Sequence, residues 1–119
     1  MKRTIALAVF TAASLLFAHD EPKGKPITMT ARVVDTGCYF SQDAPQKGHL
    51  ACAKMCAKNG IPLALVDDAG ALYMVIAAEH QNPNTQLMPF IEKKVKVTGI
   101  LVEKGGMHAV SIKTVAAAE

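Results

Sequence analysis

The sequence predicts a small, mainly β domain of five strands, with a helix inserted between the first two strands. Short segments in which apolar and polar residues alternate recur along the chain. The connections between them carry the Asp, Asn and Gly residues that are typical of tight turns. One alanine-rich segment has the composition of a helix, and it carries two of the three cysteines.

The first eighteen residues predict a secretory signal peptide. Lys2 and Arg3 form a positively charged start, residues 5–17 are an almost unbroken apolar run, and Ala18 is a small residue suited to cleavage. The run is too short to span a bilayer comfortably, and an uncleaved membrane anchor is the alternative. We therefore assign residues 1–18 as the signal and expect a periplasmic or secreted protein without stable membrane insertion after cleavage.

The rest of the chain predicts one domain with a short lead-in. Residues 19–26 are polar and contain Pro and Gly, which is typical of a flexible segment. Residues 27–116 are enough for one modest hydrophobic core. Loss of Lys2 and Arg3 with the signal lowers the formal net charge from +3 to +1. The mature chain therefore lacks the strong positive charge on which nucleic-acid binding depends.

The first strand is predicted from Ile27 to about Val33, where apolar and polar residues alternate. Residues 35–37 end it, and a loop is expected from Cys38 to about Lys47.

A helix is predicted next, from about Gln46 to Asn59, because alanines dominate this segment. Asn59 and Gly60, followed by Pro62, are a strong helix stop. The cysteine-rich insertion thus spans about residues 38–60.

Four further strands follow the helix and form two hairpins. The strands are predicted at residues 63–66, 72–76, 95–102 and 107–115. Turns at 67–70 and 103–106 connect the members of each hairpin, and a short helix is expected at about 86–92. This element order suits a closed Greek-key barrel of the OB type. The alternative is an open antiparallel sheet packed with one helix, an α+β fold. In the barrel, Gly99 would provide the bend or bulge that closes the sheet.

Three cysteines and a histidine form the most distinctive cluster in the chain. On a helix, His49, Cys52 and Cys56 lie within about a 60° arc, since each residue turns the helix by about 100°. Cys38 lies upstream, in a loop able to fold back onto that stripe. Zinc binds thiolates and imidazoles, and Cu(I) prefers thiolates. The predicted ligands of Cu(I) or Zn(II) are Cys38, His49, Cys52 and Cys56, and the accessory donors are Met55 and His19.

A disulfide is the alternative for the same cysteines, because exported thiols tend to pair. A bond from Cys38 to Cys52 or Cys56 would fasten the loop to the helix and contribute about 3 kcal/mol. The protein would then be a disulfide-stapled module that binds a protein or a small ligand without metal. Thiol redox activity is a third interpretation, which the lack of a Cys-x-x-Cys motif disfavours.

Three segments resemble a group of small secreted bacterial proteins. The segments are Val33-Val34-Asp35-x-x-Cys38-Tyr39, His49-x-x-Cys52-Ala53-x-x-Cys56-Ala57 and Gly60-x-Pro62-Leu63-x-Leu65. The similarity covers residues 31–76 well and the remainder loosely. It implies an exported OB-like domain with a cysteine-rich insertion, and it implies no particular activity.

The sequence favours binding over catalysis. It contains no Gly-rich phosphate loop, no Gly-x-Ser-x-Gly elbow and no His-Glu-x-x-His motif. The few aromatic residues of the mature chain also disfavour the stacking of nucleic-acid bases. We therefore expect a non-enzymatic exported protein that binds or transfers copper or zinc. Its expected partners are the metal ion and another exported protein.

Overall fold

The computed structural model describes residues 21–77 and 79–119. The predicted signal peptide (residues 1–18) and the accessory donor His19 lie outside these residues, so both stay predictions. Within the described ranges, no helix is long and apolar enough to cross a membrane.

Five strands close into a barrel. They are β1 (Lys25–Asp35), β2 (Leu63–Asp67), β3 (Leu72–Ile76), β4 (Lys94–Lys104) and β5 (Met107–Ala117). Their order around the barrel is β1-β2-β3-β5-β4, and β4 pairs again with β1. Every pair is antiparallel except β3 with β5, which is parallel. The predicted OB-like five-stranded barrel is confirmed, and both predicted hairpins are present. The alternative of an open sheet is wrong.

β1 is shared between the two sides of the barrel. Residues 25–32 pair with β4, and residues 31–35 pair with β2. The strand begins at Lys25, two residues before the predicted start, because Lys25 and Pro26 already pair with β4. The strand ends at Asp35, just before the cysteine-rich insertion.

Gly99 closes the sheet as predicted. The pairing of β4 with β5 changes register between Thr98 and Gly99, which is the mark of a bulge. A Cβ atom at position 99 would lie 2.1 Å from the backbone oxygen of Ser111. Only glycine allows the two strands to approach this closely.

The core lies inside the barrel and under one helix. The largest fully buried apolar side chains are those of Val33, Leu65, Leu87, Ile91, Val95, Val97 and Val110. Helix α2 (Leu50–Lys58) adds Ala53 and Ala57 to this core. Both side chains are small, so the helix backbone lies close to the sheet.

The insertion contains a helix that the sequence did not predict. Helix α1 (Thr36–Gln42) replaces the first half of the loop expected from Cys38 to about Lys47. It forms because the carboxylate of Asp35 caps it: Asp35 Oδ1 accepts a hydrogen bond from the backbone N–H of Cys38 at 2.9 Å. Asp35 was interpreted only as the end of a strand, and its capping role was missed.

The other helical segments are close to their predicted places. Helix α2 lies within the predicted helix, but it begins four residues later, with His49 at its N-cap position. Two short 3₁₀ turns, Pro83–Gln86 and Met88–Phe90, occupy the region in which a short helix was expected at about 86–92.

Candidate metal centre

The predicted site residues meet where β1 ends and the two helices begin. Cys38 lies in the first turn of α1, and Cys52 and Cys56 lie one turn apart on α2. The segment just before β4 reaches the same place, since Glu92 donates its backbone N–H to the oxygen of Val33 at 2.8 Å. Three separate parts of the fold therefore enclose the cluster.

The three sulfur atoms come together as the sequence predicts. The Sγ atoms of Cys38 and Cys52 are 3.9 Å apart, and the Sγ atoms of all three cysteines lie within 4.8 Å of one another. All three are free thiols. Cys38 is buried, Cys56 is half-buried and Cys52 is exposed. The cluster is therefore closed toward the barrel and open at Cys52.

Helix α2 holds its cysteines beside its buried face. Ala53 and Ala57 face the core, and each cysteine precedes one of these alanines by one residue. The cysteine stripe consequently lies along the edge at which α2 meets α1. Lys54, on the same helix, is exposed.

Asn84 fixes the position of the end of α2. Its side chain is buried, and its Oδ1 accepts from the backbone N–H of Leu63 at 2.8 Å. Its Nδ2 donates to the backbone oxygens of Ala57 at 3.1 Å and Ile61 at 2.8 Å. One amide thus joins α2, the following loop and β2. Sequence analysis missed this residue, because it lies in a segment that reads only as a polar loop.

His49 approaches the cluster from the side of Cys38. One ring nitrogen of His49, one carboxylate oxygen of Asp35 and the sulfur of Cys38 form a second group within 4.8 Å. The Nε2 atom of His49 is 3.8 Å from Asp35 Oδ2, and its Nδ1 atom is 2.5 Å from Glu92 Oε1. The described residues therefore form two donor groups, one of three sulfurs and one containing His49, and the two groups share Cys38.

Two acidic residues of the site were not predicted. Asp35 is 2% exposed. The sequence signal that could have placed it at the site is Cys38, which follows it by three residues. Glu92 is separated from His49 by 43 residues, and no local pattern marks it. Its backbone has a φ of 63°, a conformation uncommon for a residue other than glycine.

The surroundings keep two of the thiols protonated. Burial raises the pKa of Cys38 to about 12, and the hydrogen bond with Cys52 and the negative charge of Asp35 add to the effect. Burial also raises the pKa of Cys56. Since a thiolate is the form that binds metals, a cation must displace these protons when it binds.

Met55 is the predicted accessory donor among the described residues, and His108 is a histidine outside the predicted ligand set. Met55 lies on α2 and is 65% exposed. His108, on β5, stacks against Tyr73 with ring centroids 5.2 Å apart and lies 3.4 Å from Glu103.

Comparison of the chain with protein-family models, with curated proteins and with solved structures finds no match. The chemistry of the site therefore rests on its own residues. Three thiols, an imidazole and a carboxylate within two overlapping groups are able to hold a metal ion.

Proposed function

We propose that this protein is an exported, non-enzymatic carrier that binds Cu(I) or Zn(II) and passes it to another exported protein. Cys38, Cys52 and Cys56 are the proposed ligands, and His49 completes or orients the site. The observation that carries the proposal is the convergence of the three cysteine sulfurs within 4.8 Å of one another. Cys38 reaches the other two from a different helix, 14 residues before Cys52.

The distance between sulfurs supports a metal centre. With metal–sulfur bonds of about 2.3 Å, two thiolates are separated by about 3.8 Å in a tetrahedral shell and by about 4.0 Å in a trigonal shell. The Sγ atoms of Cys38 and Cys52 are 3.9 Å apart, between these two values. The pair is thus spaced for an ion without rearrangement of either helix.

The graded exposure of the thiols supports transfer rather than permanent storage. Cys52 is exposed, Cys56 is half-buried and Cys38 is buried. A thiolate of a partner protein can therefore reach an ion through Cys52 and exchange ligands one at a time. An ion held only by buried groups would not offer this route.

The disulfide-stapled module is the second candidate, and the short distance between two cysteine sulfurs favours it. Cys38 and Cys52 are the pair with sulfurs at 3.9 Å, so they are the pair that oxidation would join. That function also requires a binding surface. An apolar hollow of about 220 Å³ next to Phe40, Met74 and Met107 is available, but ligand pockets commonly start at about 300 Å³. A small ligand therefore fits this hollow poorly.

The deciding experiment measures thiols and metal on the same sample. Protein isolated natively from the periplasm of an expressing bacterium is examined by native mass spectrometry with a parallel thiol count. The proposal expects three reduced thiols and one bound Cu(I) or Zn(II). A mass loss of two hydrogens without metal would instead establish the staple.

One ligand variant and one control variant test the three-sulfur site. Cys56→Ser is expected to abolish stoichiometric Cu(I) binding, measured by competition with a chromophoric chelator, and to leave the circular dichroism spectrum of the barrel unchanged. The matched control is Met74→Leu, because Met74 is an exposed sulfur residue of the hollow. If both variants bound Cu(I) like the unmodified protein, the three-sulfur site would be refuted.

A further inference from the structure

One buried nitrogen in the centre has no partner. The side chain of His49 is only 9% exposed, and its Nε2 atom is buried without a hydrogen bond. Buried polar atoms are almost always paired, because an unpaired one loses its bonds to water at a cost of about 1–3 kcal/mol. Among the described residues His49 Nε2 is the buried side-chain atom that lacks a hydrogen bond, and such an atom points to a bound ligand.

The atoms around this nitrogen are metal donors. Asp35 Oδ2 lies 3.8 Å from His49 Nε2, which is beyond hydrogen-bond distance, and the sulfur of Cys38 completes a group within 4.8 Å. The other oxygen of Asp35 already accepts the N–H of Cys38, so Oδ2 is the oxygen left for an ion. One nitrogen, one oxygen and one sulfur thus face a common point.

We propose that this group is a second metal position, for a divalent ion of Zn(II) type, and that the Cys38 thiolate bridges it to the ion on the three sulfurs. The bridge rests on the proposed function, whereas the inner position itself depends only on Asp35, Cys38 and His49. The protein would then hold two unlike ions side by side, a soft ion outside and a borderline divalent ion inside.

The donor types separate the two ions. Three thiolates favour the soft Cu(I), whereas a mixed set of carboxylate, imidazole and thiolate suits Zn(II). Two zinc-bound atoms at about 2.0 Å from the ion are about 3.3 Å apart in a tetrahedral shell. His49 Nε2 and Asp35 Oδ2, at 3.8 Å, must therefore close by about 0.5 Å, which a small rotation of either side chain achieves.

Glu92 lies where a carboxylate can orient His49 for metal binding without contacting the ion. Metal-binding histidines commonly donate their second ring N–H to a carboxylate, which fixes the tautomer and directs the other nitrogen at the metal. Glu92 Oε1 lies 2.5 Å from Nδ1 of His49, and the half-buried Glu92 side chain is 16% exposed. With the proton on Nδ1, the lone pair of Nε2 points at the proposed ion.

The competing explanation is a doubly protonated His49 held between two carboxylates, Glu92 and Asp35. That explanation accounts for the ion-pair distances to both carboxylates, but it leaves Nε2 without a hydrogen bond, since 3.8 Å is beyond hydrogen-bond distance.

The test removes the three-sulfur site and keeps the inner position of Asp35, Cys38 and His49. In the double variant Cys52→Ser/Cys56→Ser only Cys38 remains as a thiol, so the three-sulfur site and every intramolecular disulfide are eliminated. Cobalt(II) is titrated into this variant under reducing conditions, because it replaces zinc and its absorption reports cobalt–thiolate bonds. We expect one equivalent of Co(II) with a sulfur charge-transfer band, displaced by one equivalent of Zn(II).

Further substitutions in the double variant identify the other ligands. Asp35→Asn keeps an oxygen to cap α1 and removes the charge, and His49→Gln removes the nitrogen donor. Each is expected to weaken Co(II) binding at least 100-fold. His108→Gln is the matched control and is expected to change it less than twofold, since His108 stacks on Tyr73 outside both donor groups. Circular dichroism spectra check that each variant is folded.

The outcomes separate this proposal from the proposed function. A folded double variant that binds no Co(II), or binds it equally well after His49→Gln, overturns the inner position. In the full chain, loss of one of two bound equivalents of Co(II) without loss of Cu(I) binding on His49→Gln supports two distinct positions. If Cys56→Ser leaves Cu(I) binding intact while the double variant binds Co(II), the proposed function fails and the inner position stands.

Discussion

The Nδ1 atom of His49 lies 2.5 Å from Oε1 of Glu92, which follows it by 43 residues. This contact joins the start of α2 to the segment that enters β4. It also turns the opposite ring edge, with Nε2, toward Asp35 and Cys38. A single carboxylate therefore sets the orientation of His49, the nitrogen donor that the described residues supply to the centre.

Glu92→Gln is expected to weaken Zn(II) binding at the inner position by about 10- to 100-fold. The amide oxygen still accepts a hydrogen bond, but it lacks the charge that makes the imidazole a stronger donor. The affinity is measured by competition with a zinc chelator. Glu79→Gln is the matched control, because Glu79 also has a positive φ (50°) but is exposed. An unchanged zinc affinity in Glu92→Gln would remove Glu92 from the site.

The three thiols of the metal-free protein are expected to react with iodoacetamide at very different rates. Cys52 is exposed and reacts first, whereas Cys38 is buried and burial raises its pKa to about 12, so it reacts last. The thiolate is the reactive form, and we expect at least about a tenfold difference between these two cysteines near neutral pH. Peptide mass spectrometry at several reaction times gives the order. Equal rates in folded protein would contradict the placement of Cys38.

Alkaline pH is expected to destabilise the reduced, metal-free protein. An unfolded thiol ionises near pH 9.0, and the folded Cys38 thiol has its pKa raised by burial to about 12. Between these values the unfolded state binds fewer protons than the folded state, so the free energy of unfolding falls as the pH rises. Below pH 9.0 this contribution is fully present.

The measurement compares urea unfolding of the protein and of Cys38→Ala from about pH 8 to about pH 10.5. The unmodified protein is expected to lose more stability over this range than the variant. Buried groups present in both proteins, such as Tyr73 with its pKa raised by burial, contribute to both curves and cancel in the difference. Parallel curves would show that the Cys38 thiol ionises as readily when folded as when unfolded.

Asn84→Ala is expected to destabilise the fold by about 2–4 kcal/mol, because it removes three hydrogen bonds between a buried amide and backbone groups. These groups are the N–H of Leu63 and the oxygens of Ala57 and Ile61. Urea unfolding gives the change. The neighbouring Thr85→Ala, at an exposed position, serves as the control and is expected to stay within about 0.5 kcal/mol.

The barrel was predictable because its signals are local. Alternation around Val33 and the Gly-containing turns define strands and hairpins without knowledge of distant contacts, and Gly99 marks the bulge. The cysteine cluster was predictable in part, since Cys52 and Cys56 share a helix face by spacing alone. Helix α1 was missed because Asp35 was interpreted as a strand terminator, although the same residue type is a common helix cap.

The rest of the centre depends on tertiary contacts that leave no sequence pattern. Glu92 approaches His49 only because the barrel brings the start of β4 next to the end of β1. Asn84 acts through backbone groups of Leu63, Ala57 and Ile61, and backbone groups carry no sequence signal. Local composition therefore predicts which donors are present, and the fold decides how they are grouped.

Gly99→Ala is expected to destabilise the barrel by about 3 kcal/mol or more, the upper end of the cost of overpacking a rigid interior. The added Cβ would lie 2.1 Å from the backbone oxygen of Ser111, and backbone has no alternative rotamer with which to move away. The strands β4 and β5 must then separate at the bulge, where the barrel closes. Gly48→Ala is the matched control: its φ is +80°, but no atom lies within 4 Å of the new Cβ. We expect only about 1–2 kcal/mol there, from the left-handed backbone alone. Thermal unfolding of both variants measures the difference, and a Gly99→Ala protein as stable as the unmodified one would contradict the close approach of the two strands.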